Sequence, residues 1–294
     1  MALSDEVKPA AFAYCRPTSI EEALEQLAHF GEEAKVIAGG QSLGPMMNMR
    51  LATPGRLIDL NDLTELAYVR EAGDWIEIGA LTRHYQLAES LLVRRHCPLL
   101  AQAAQTIGHY AIRQRGTIGG SLAHADPAAQ LALVAVTLDA RLNLVRPRSQ
   151  RWVGAGEFFV SALTTALEAD ELIASIQFPK AAVREASSFR LFNRRHGDYA
   201  IIAVAAAIAL EGDKVGNLRL GLGGVAPVPR TFPDVAQAFR GRVPDDRWVG
   251  QVAATVRESV APEGDSRIPA LYREELAQEL VADALARALA QLRK

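Results

Sequence analysis

The sequence predicts an α+β fold in two parts, an N-terminal domain over residues 1–179 and a C-terminal α+β domain over 187–294. Three observations carry this. Short helix and strand patterns alternate up to about residue 60, as in a small α/β subdomain. Two hairpin patterns flank a helical stretch in 61–179, a second α/β subdomain with an antiparallel component. After a linker at 179–186, three strand patterns precede two long helix patterns, the order of an antiparallel sheet carrying helices.

Taken in chain order, Ile20, Ala23, Leu24, Leu27 and Ala28 recur at helical spacing. Ser19 is placed as N-cap, Glu22 for a capping box and Gly31 as the stop. A short strand at 35–38 runs into Gly39-Gly40, and 56–60 (RLIDL) is another. In 67–81, AYVREAGDWIEIGAL reads as a hairpin turning at Ala72-Gly73-Asp74. Residues 87–107 read as largely helical, 141–145 with 151–153 as a second hairpin, and 172–178 as a strand closed by Pro179. Beyond the linker, SSFRLF, YAIIAVAAAIAL and NLRLGLGGVA are the three strands, with helices at 248–260 and 271–292.

Composition narrows the function. Of 294 residues, 49% are hydrophobic and 22% charged, with 32 basic and 34 acidic residues for a net charge of −2. That balance lacks the basic excess of a nucleic-acid-binding surface. Cys15 and Cys97 are the two cysteines, too few for a disulfide framework, a four-cysteine zinc site or an iron–sulfur cluster. Metal chemistry is therefore expected in a partner chain. The opening MALSDEV is acidic and not of signal-peptide type, and the longest apolar run, 199–210, is too short to span a bilayer. A cytoplasmic location is expected.

Two short segments concentrate the chemistry. In Val36-Ile37-Ala38-Gly39-Gly40-Gln41-Ser42-Leu43, a strand breaks into Gly-Gly, where main-chain N–H groups can meet a phosphate with no side chain in the way. The same residues also describe a tight turn after a strand. In 116–127, Thr117, Ile118, Gly119, Gly120 and Ser121 repeat the pairing of Gly-Gly with hydroxyls, and His124 and Asp126 follow. Here the plainer reading is a glycine-rich connection ending in a helix cap at Asp126 before Pro127. Two such segments fit a diphosphate held from both sides. Neither is a Walker A loop nor a GxGxxG sequence opening a Rossmann helix.

Together, AGGQSLGPMMNMRLATPGRLIDLNDL and GTIGGSLAHADPAAQL resemble the signature loops of the FAD-binding medium subunits in the xanthine dehydrogenase and carbon monoxide dehydrogenase family. The resemblance runs in order through FAYCRPTSIEEALEQL, IGALTRHYQLAES, RRHGDYAIIAVAAAI, LGGVAPVPR and YREELAQELVADAL. It implies a vanillyl-alcohol-oxidase/PCMH-type FAD-binding domain of two α/β subdomains (about 1–60 and 61–179), then the family's C-terminal α+β domain. It further implies non-covalent FAD contacted by Val36, Ile37, Ala38, Gly39, Gly40, Gln41, Ser42 and Leu43, and by Thr117, Ile118, Gly119, Gly120 and Ser121. Ile107 and Ile173 would add apolar packing, Arg190 a cation, and Asp126 would order the second segment. Tyr199 would lie near the isoalloxazine, although it also reads as a core aromatic opening a buried strand. Gln130 replaces the family's usual carboxylate, so an amide stands where a charged acceptor reaches the nucleotide.

The activity so implied is electron relay in an oxidoreductase. An iron–sulfur small subunit with two [2Fe–2S] clusters passes electrons to FAD on this chain, after a molybdenum-cofactor large subunit has oxidised the substrate. No side chain is assigned a catalytic role and none a metal. A dimer of heterotrimers is expected. The substrate (carbon monoxide, aldehydes, purines or N-heterocycles) and the terminal acceptor (NAD, a quinone, a cytochrome or oxygen) stay open. Two other classes compete: a free-standing flavoprotein reductase or dehydrogenase of this fold, and an assembly subunit without cofactor.

Overall fold

Strands β1 (Ala13–Cys15), β2 (Ala34–Ile37) and β3 (Arg56–Asp59) form a parallel sheet in the order β1-β3-β2 of the computed structural model, which describes residues 9–293. The acidic opening considered above as lacking a leader begins outside the described residues. Helix α1 (Ile20–Phe30) joins β1 to β2, and α2 (Leu43–Asn48) lies between β2 and β3. Ser19 caps α1, its Oγ accepting from Glu22 N at 3.1 Å, and Gly31 ends it at φ 50°. The expected capping box closes one residue early. The Glu22 carboxylate accepts from Thr18 N at 2.8 Å and Thr18 Oγ1 at 3.1 Å.

The second unit is a five-stranded antiparallel sheet. Its strands are β4 (Val69–Ala72), β5 (Trp75–Gly79), β6 (Arg141–Arg146), β7 (Ser149–Gly154) and, after α9 (Ala155–Phe158) and the small hairpin β8 (Phe159–Ser161) and β9 (Thr164–Thr165), β10 (Leu172–Pro179). They stand in the order β4-β5-β10-β6-β7. Both expected hairpins are present. Between β5 and β6 run α3 (His84–Glu89), α4 (Leu91–His96), α5 (Pro98–Gln105), α6 (Tyr110–Arg115), α7 (Ile118–His124) and α8 (Gln130–Thr137). The helical stretch is broken because Ser90 ends α3 and caps α4, while Pro98 opens α5.

The remaining sheet is antiparallel in the order β11 (Glu185–Phe192), β12 (Ile202–Glu211), β13 (Lys214–Gly223), β14 (Arg230–Thr231). Helices α10 (Pro233–Phe239), α11 (Asp246–Glu258) and α12 (Ala270–Leu292) follow it. The long apolar run of β12 is explained by burial on both faces. Ile202, Val204, Ala206 and Ile208 share a core with α11 and α12, whereas Ala203, Ala205 and Ala207 share one with α5 and α8. The side facing α8 uses small residues because the backbones approach closely. A Cβ on Gly221 would lie 2.0 Å from Thr137 Oγ1. Every residue of α8 is buried, and Thr137 is satisfied by donating to Leu133 O at 2.7 Å. The C-terminal sheet is therefore packed onto the N-terminal part through α8.

Candidate cofactor-binding site

The first glycine segment leaves β2 at Ile37 and enters α2 at Leu43. Gly40 has φ 69°, a conformation costly for any residue with a Cβ. The Ala38 carbonyl accepts from Asn61 Nδ2 at 2.8 Å, and the Gly39 carbonyl from Gln41 Nε2 at 2.8 Å. A trans peptide points its C=O and N–H in opposite directions. Holding those two carbonyls therefore turns the N–H groups of Gly39 and Gly40 the other way. Among the described residues, no protein acceptor meets the main-chain N–H of Gly39, Gly40, Gln41, Ser42 or Leu43. Five consecutive unpaired donors at the entry to a helix are a main-chain arrangement of the kind that can receive an anion. Val36 and Ile37 lie half-buried on β2 behind it.

The second segment is wired differently. The expected loop is the first turn of α7, with Thr117 as N-cap accepting from Gly120 N at 3.1 Å. Ile118 N donates to Thr82 O at 3.0 Å, Gly119 N to Ala80 O at 2.8 Å and Ser121 N to Thr117 O at 3.0 Å. The main-chain donors of 118–121 are thus satisfied by protein, while Thr117 N meets no acceptor among the described residues. The glycines here allow close packing: a Cβ on Gly119 would lie 2.6 Å from the Ala80 Cβ. Gly120 is exposed, and among the described residues the Ser121 hydroxyl has no protein partner. Behind the segment, buried His84 donates from Nε2 to Thr117 O at 3.0 Å, since a carbonyl can only accept. Burial pushes its pKa down to about 4 and keeps the imidazole neutral.

The two segments meet. A Cβ on Gly39 would stand 2.3 Å from Arg115 O and 2.8 Å from the Gly116 Cα. Beyond α7, Asp126 accepts from Ala128 N at 2.8 Å in a local turn; it does not cap α8, whose N-cap is Ala129. Tyr199 precedes β12 and leaves 66% of its surface exposed, so it is not the core aromatic that its sequence also allowed. Partial desolvation, with the Asp126 carboxylate nearby, raises its pKa. The loop carrying Tyr199 rests on the turn after α5. His109 packs against Gly197 and lies 5.8 Å from the His196 ring, beside half-buried Ile107.

Two candidates stand further back. Ile173 is buried on β10 beside Ala174, whose carbonyl accepts from Ala80 N at 3.0 Å, placing it behind the Gly119 support. Gln130 is buried at the start of α8 with no side-chain partner among the described residues. Arg190 is not brought to the cluster. Strand alternation sends its neighbour Phe189 toward the α5 and α8 core and Arg190 to α12, where it pairs with Asp283 at 2.5 Å. Sequence reasoning missed Asn61, Arg83 and His84 as site residues. Their one signal was their place in the family-like stretches LIDLNDL and IGALTRHYQ.

The fold and this donor run define an FAD-binding protein, and comparison with known proteins agrees. Residues 10–181 match the FAD binding domain in molybdopterin dehydrogenase, and 187–288 the CO dehydrogenase flavoprotein C-terminal domain. The chain is 34% identical to the carbon monoxide dehydrogenase medium chain of Afipia carboxidovorans over 96% of this chain and 98% of that one. It is equally identical to caffeine dehydrogenase subunit beta of a Pseudomonas species, over 96% of each. Among solved structures, quinoline 2-oxidoreductase from Pseudomonas putida 86 superposes with a TM-score of 0.93 at 30% identity, covering 98% of this chain and 100% of that one. This chain belongs to the FAD-binding medium subunits of the molybdenum hydroxylases, which are oxidoreductases. Among the described residues, no helix is long and apolar enough to cross a membrane.

Proposed function

We propose that this chain relays electrons within a molybdenum hydroxylase, from [2Fe–2S] clusters of a small subunit to an external acceptor. A large subunit holds the molybdenum cofactor and oxidises the substrate, and the three chains pair as a dimer of heterotrimers in the cytoplasm. The observation that carries the cofactor part is the run of five main-chain N–H groups from Gly39 to Leu43 that are unpaired among the described residues. It fits a diphosphate. When bound, FAD supplies a centre that takes electrons singly and returns them in pairs.

In this reading residues 1–179 hold the cofactor and 187–294 contribute Tyr199. The Gly39–Leu43 donors bind the diphosphate, and the Ser121 hydroxyl adds a donor from α7. Tyr199 offers an exposed aromatic face with a neutral phenol. Arg190 serves the fold through Asp283 and leaves the cofactor to these groups. Caffeine, carbon monoxide and quinoline stand in the names of relatives of similar identity. The organic substrate is accordingly recognised by another chain.

Stopped-flow absorbance tests the relay. In the complex, substrate should bleach the iron–sulfur and flavin bands together, and the isolated chain should show no substrate-dependent bleaching. Rapid reduction of the isolated chain by the organic substrate, or by a pyridine nucleotide alone, would replace the relay with a self-sufficient flavoenzyme.

A further inference from the structure

Arg83 sits between the two glycine segments. Its half-buried guanidinium donates to Arg115 O and, at 2.7 Å, to Asn61 Oδ1. Asn61 in turn donates from Nδ2 to Ala38 O at 2.8 Å and to Asp59 Oδ1 at 2.5 Å. These partners fix the amide orientation: the oxygen faces the cation and the nitrogen faces two acceptors. The main chain of Arg83 forms an antiparallel bridge with Thr117, flanked by His84 N donating to Gly116 O and Ile118 N to Thr82 O, both at 3.0 Å. One residue therefore holds the first segment by its side chain and the second by its backbone.

The orientation of these bonds matters. Pulling Ala38 O toward Asn61 turns the Gly39 N–H to the opposite side of the peptide plane, into the unpaired run. Pulling on Arg115 O sets the depth at which Gly39 lies against that carbonyl. Among the described residues Arg83 makes no ion pair, and burial together with Arg115 lowers its pKa. The Asp59 carboxylate acts on this cation from across Asn61 and makes no direct pair with it, so the guanidinium's hydrogen bonds go to Asn61 and the Arg115 carbonyl.

We infer that Arg83 is a positioning residue: through Asn61 and the Ala38 and Arg115 carbonyls it presets the Gly39–Leu43 donors for the cofactor's diphosphate. The inference rests on the FAD reading above. A guanidinium suits this place because its rigid fork reaches two acceptors at once, which an ammonium copies only in part.

The test uses the full chain stripped of flavin. FAD, ADP and riboflavin are titrated into wild type, Arg83→Met, Arg83→Lys, Asn61→Leu and the double variant Arg83→Met with Asn61→Leu, and the thermal midpoint of each stripped protein is recorded. Arg83→Met should weaken FAD and ADP about ten- to a hundredfold and move riboflavin, which has no phosphate, by no more than about twofold. Arg83→Lys should recover part of the loss. The double variant with Asn61→Leu should lose little beyond Arg83→Met, because both changes break one chain of bonds. Unchanged FAD and ADP affinity in Arg83→Met and Arg83→Lys would overturn the inference. So would equal losses for FAD and riboflavin, the mark of a general structural role. If wild type bound no FAD, the cofactor reading itself would fall, and this inference with it.

Discussion

The two glycine segments look alike in sequence and behave unlike in structure. Each puts Gly-Gly beside a hydroxyl residue, yet among the described residues Gly39–Leu43 leaves five main-chain donors free, whereas 118–121 has its donors tied to Thr82, Ala80 and Thr117. Gly40 is glycine because its φ is 69°; Gly119 is glycine because Ala80 leaves no room for a side chain. The same dipeptide thus marks an anion cradle in one place and a close backbone contact in the other. What decides is where the neighbouring carbonyls are.

The largest expected effect breaks the second segment with acid. His84 is neutral in the fold with a pKa of about 4, against an ordinary value of 6.5. The unfolded chain therefore binds the extra proton first. The stabilisation is complete above about pH 6.5 and is lost as pH falls toward 4, worth at most about 3 kcal/mol. Denaturant unfolding of the stripped chain across this window should show the slope, and His84→Gln should flatten it. Parallel pH profiles for the two proteins would mean that burial of His84 is not the source of the acid sensitivity.

Next come the glycines themselves. Gly119→Val forces a Cβ to within 2.6 Å of Ala80 Cβ and 2.8 Å of Ala80 O. Overpacking against backbone should cost about 1–3 kcal/mol of stability, read as a lowered thermal midpoint even without flavin. Gly40→Val meets only the Ile37 side chain, at 3.4 Å, but must hold a left-handed φ. A cost of about 1–2 kcal/mol follows, with the flavin content falling out of proportion to the midpoint because the donor run is distorted. Normal flavin in Gly40→Val, together with flavin loss in a fully stable Gly119→Val, would reverse the assignment of the two segments.

How much of this the sequence revealed depended on how local each cause was. Helix α1 was legible because Ser19, Glu22 and Gly31 act within one turn, and the two hairpins because Gly73 and the strand alternation are local signals. Helix α8 was not legible: QLALVAVT is buried all round, so it carries no helical periodicity. The apolar run of β12 was seen, but its cause, a sheet covered on both faces, needs α8 on one side and α12 on the other. At the site, both glycine pairs could be found by eye. The difference between them could not, because Asn61, Ala80 and Thr82 are remote from the groups they hold. Arg190 followed the family pattern in sequence, and the alternation along β11 turned it to Asp283.

The smallest effect sharpens the comparison most. If the first segment anchors the diphosphate, the second contributes mainly the Ser121 hydroxyl, which lies beside exposed Gly120 and has no protein partner among the described residues. Removing that hydroxyl should forfeit a single hydrogen bond, about 0.5–1.5 kcal/mol, or about two- to tenfold in FAD affinity. The fold should not notice, because Ser121 N keeps its bond to Thr117 O whatever the side chain, and alanine suits a helix at least as well as serine. Ser121→Ala is therefore expected to melt with wild type and to bind FAD slightly more weakly in a fluorescence titration of the stripped chain. A hundredfold loss at an unchanged melting temperature would move the anchor to the second segment. The five free donors of the first would then need another anion to explain them.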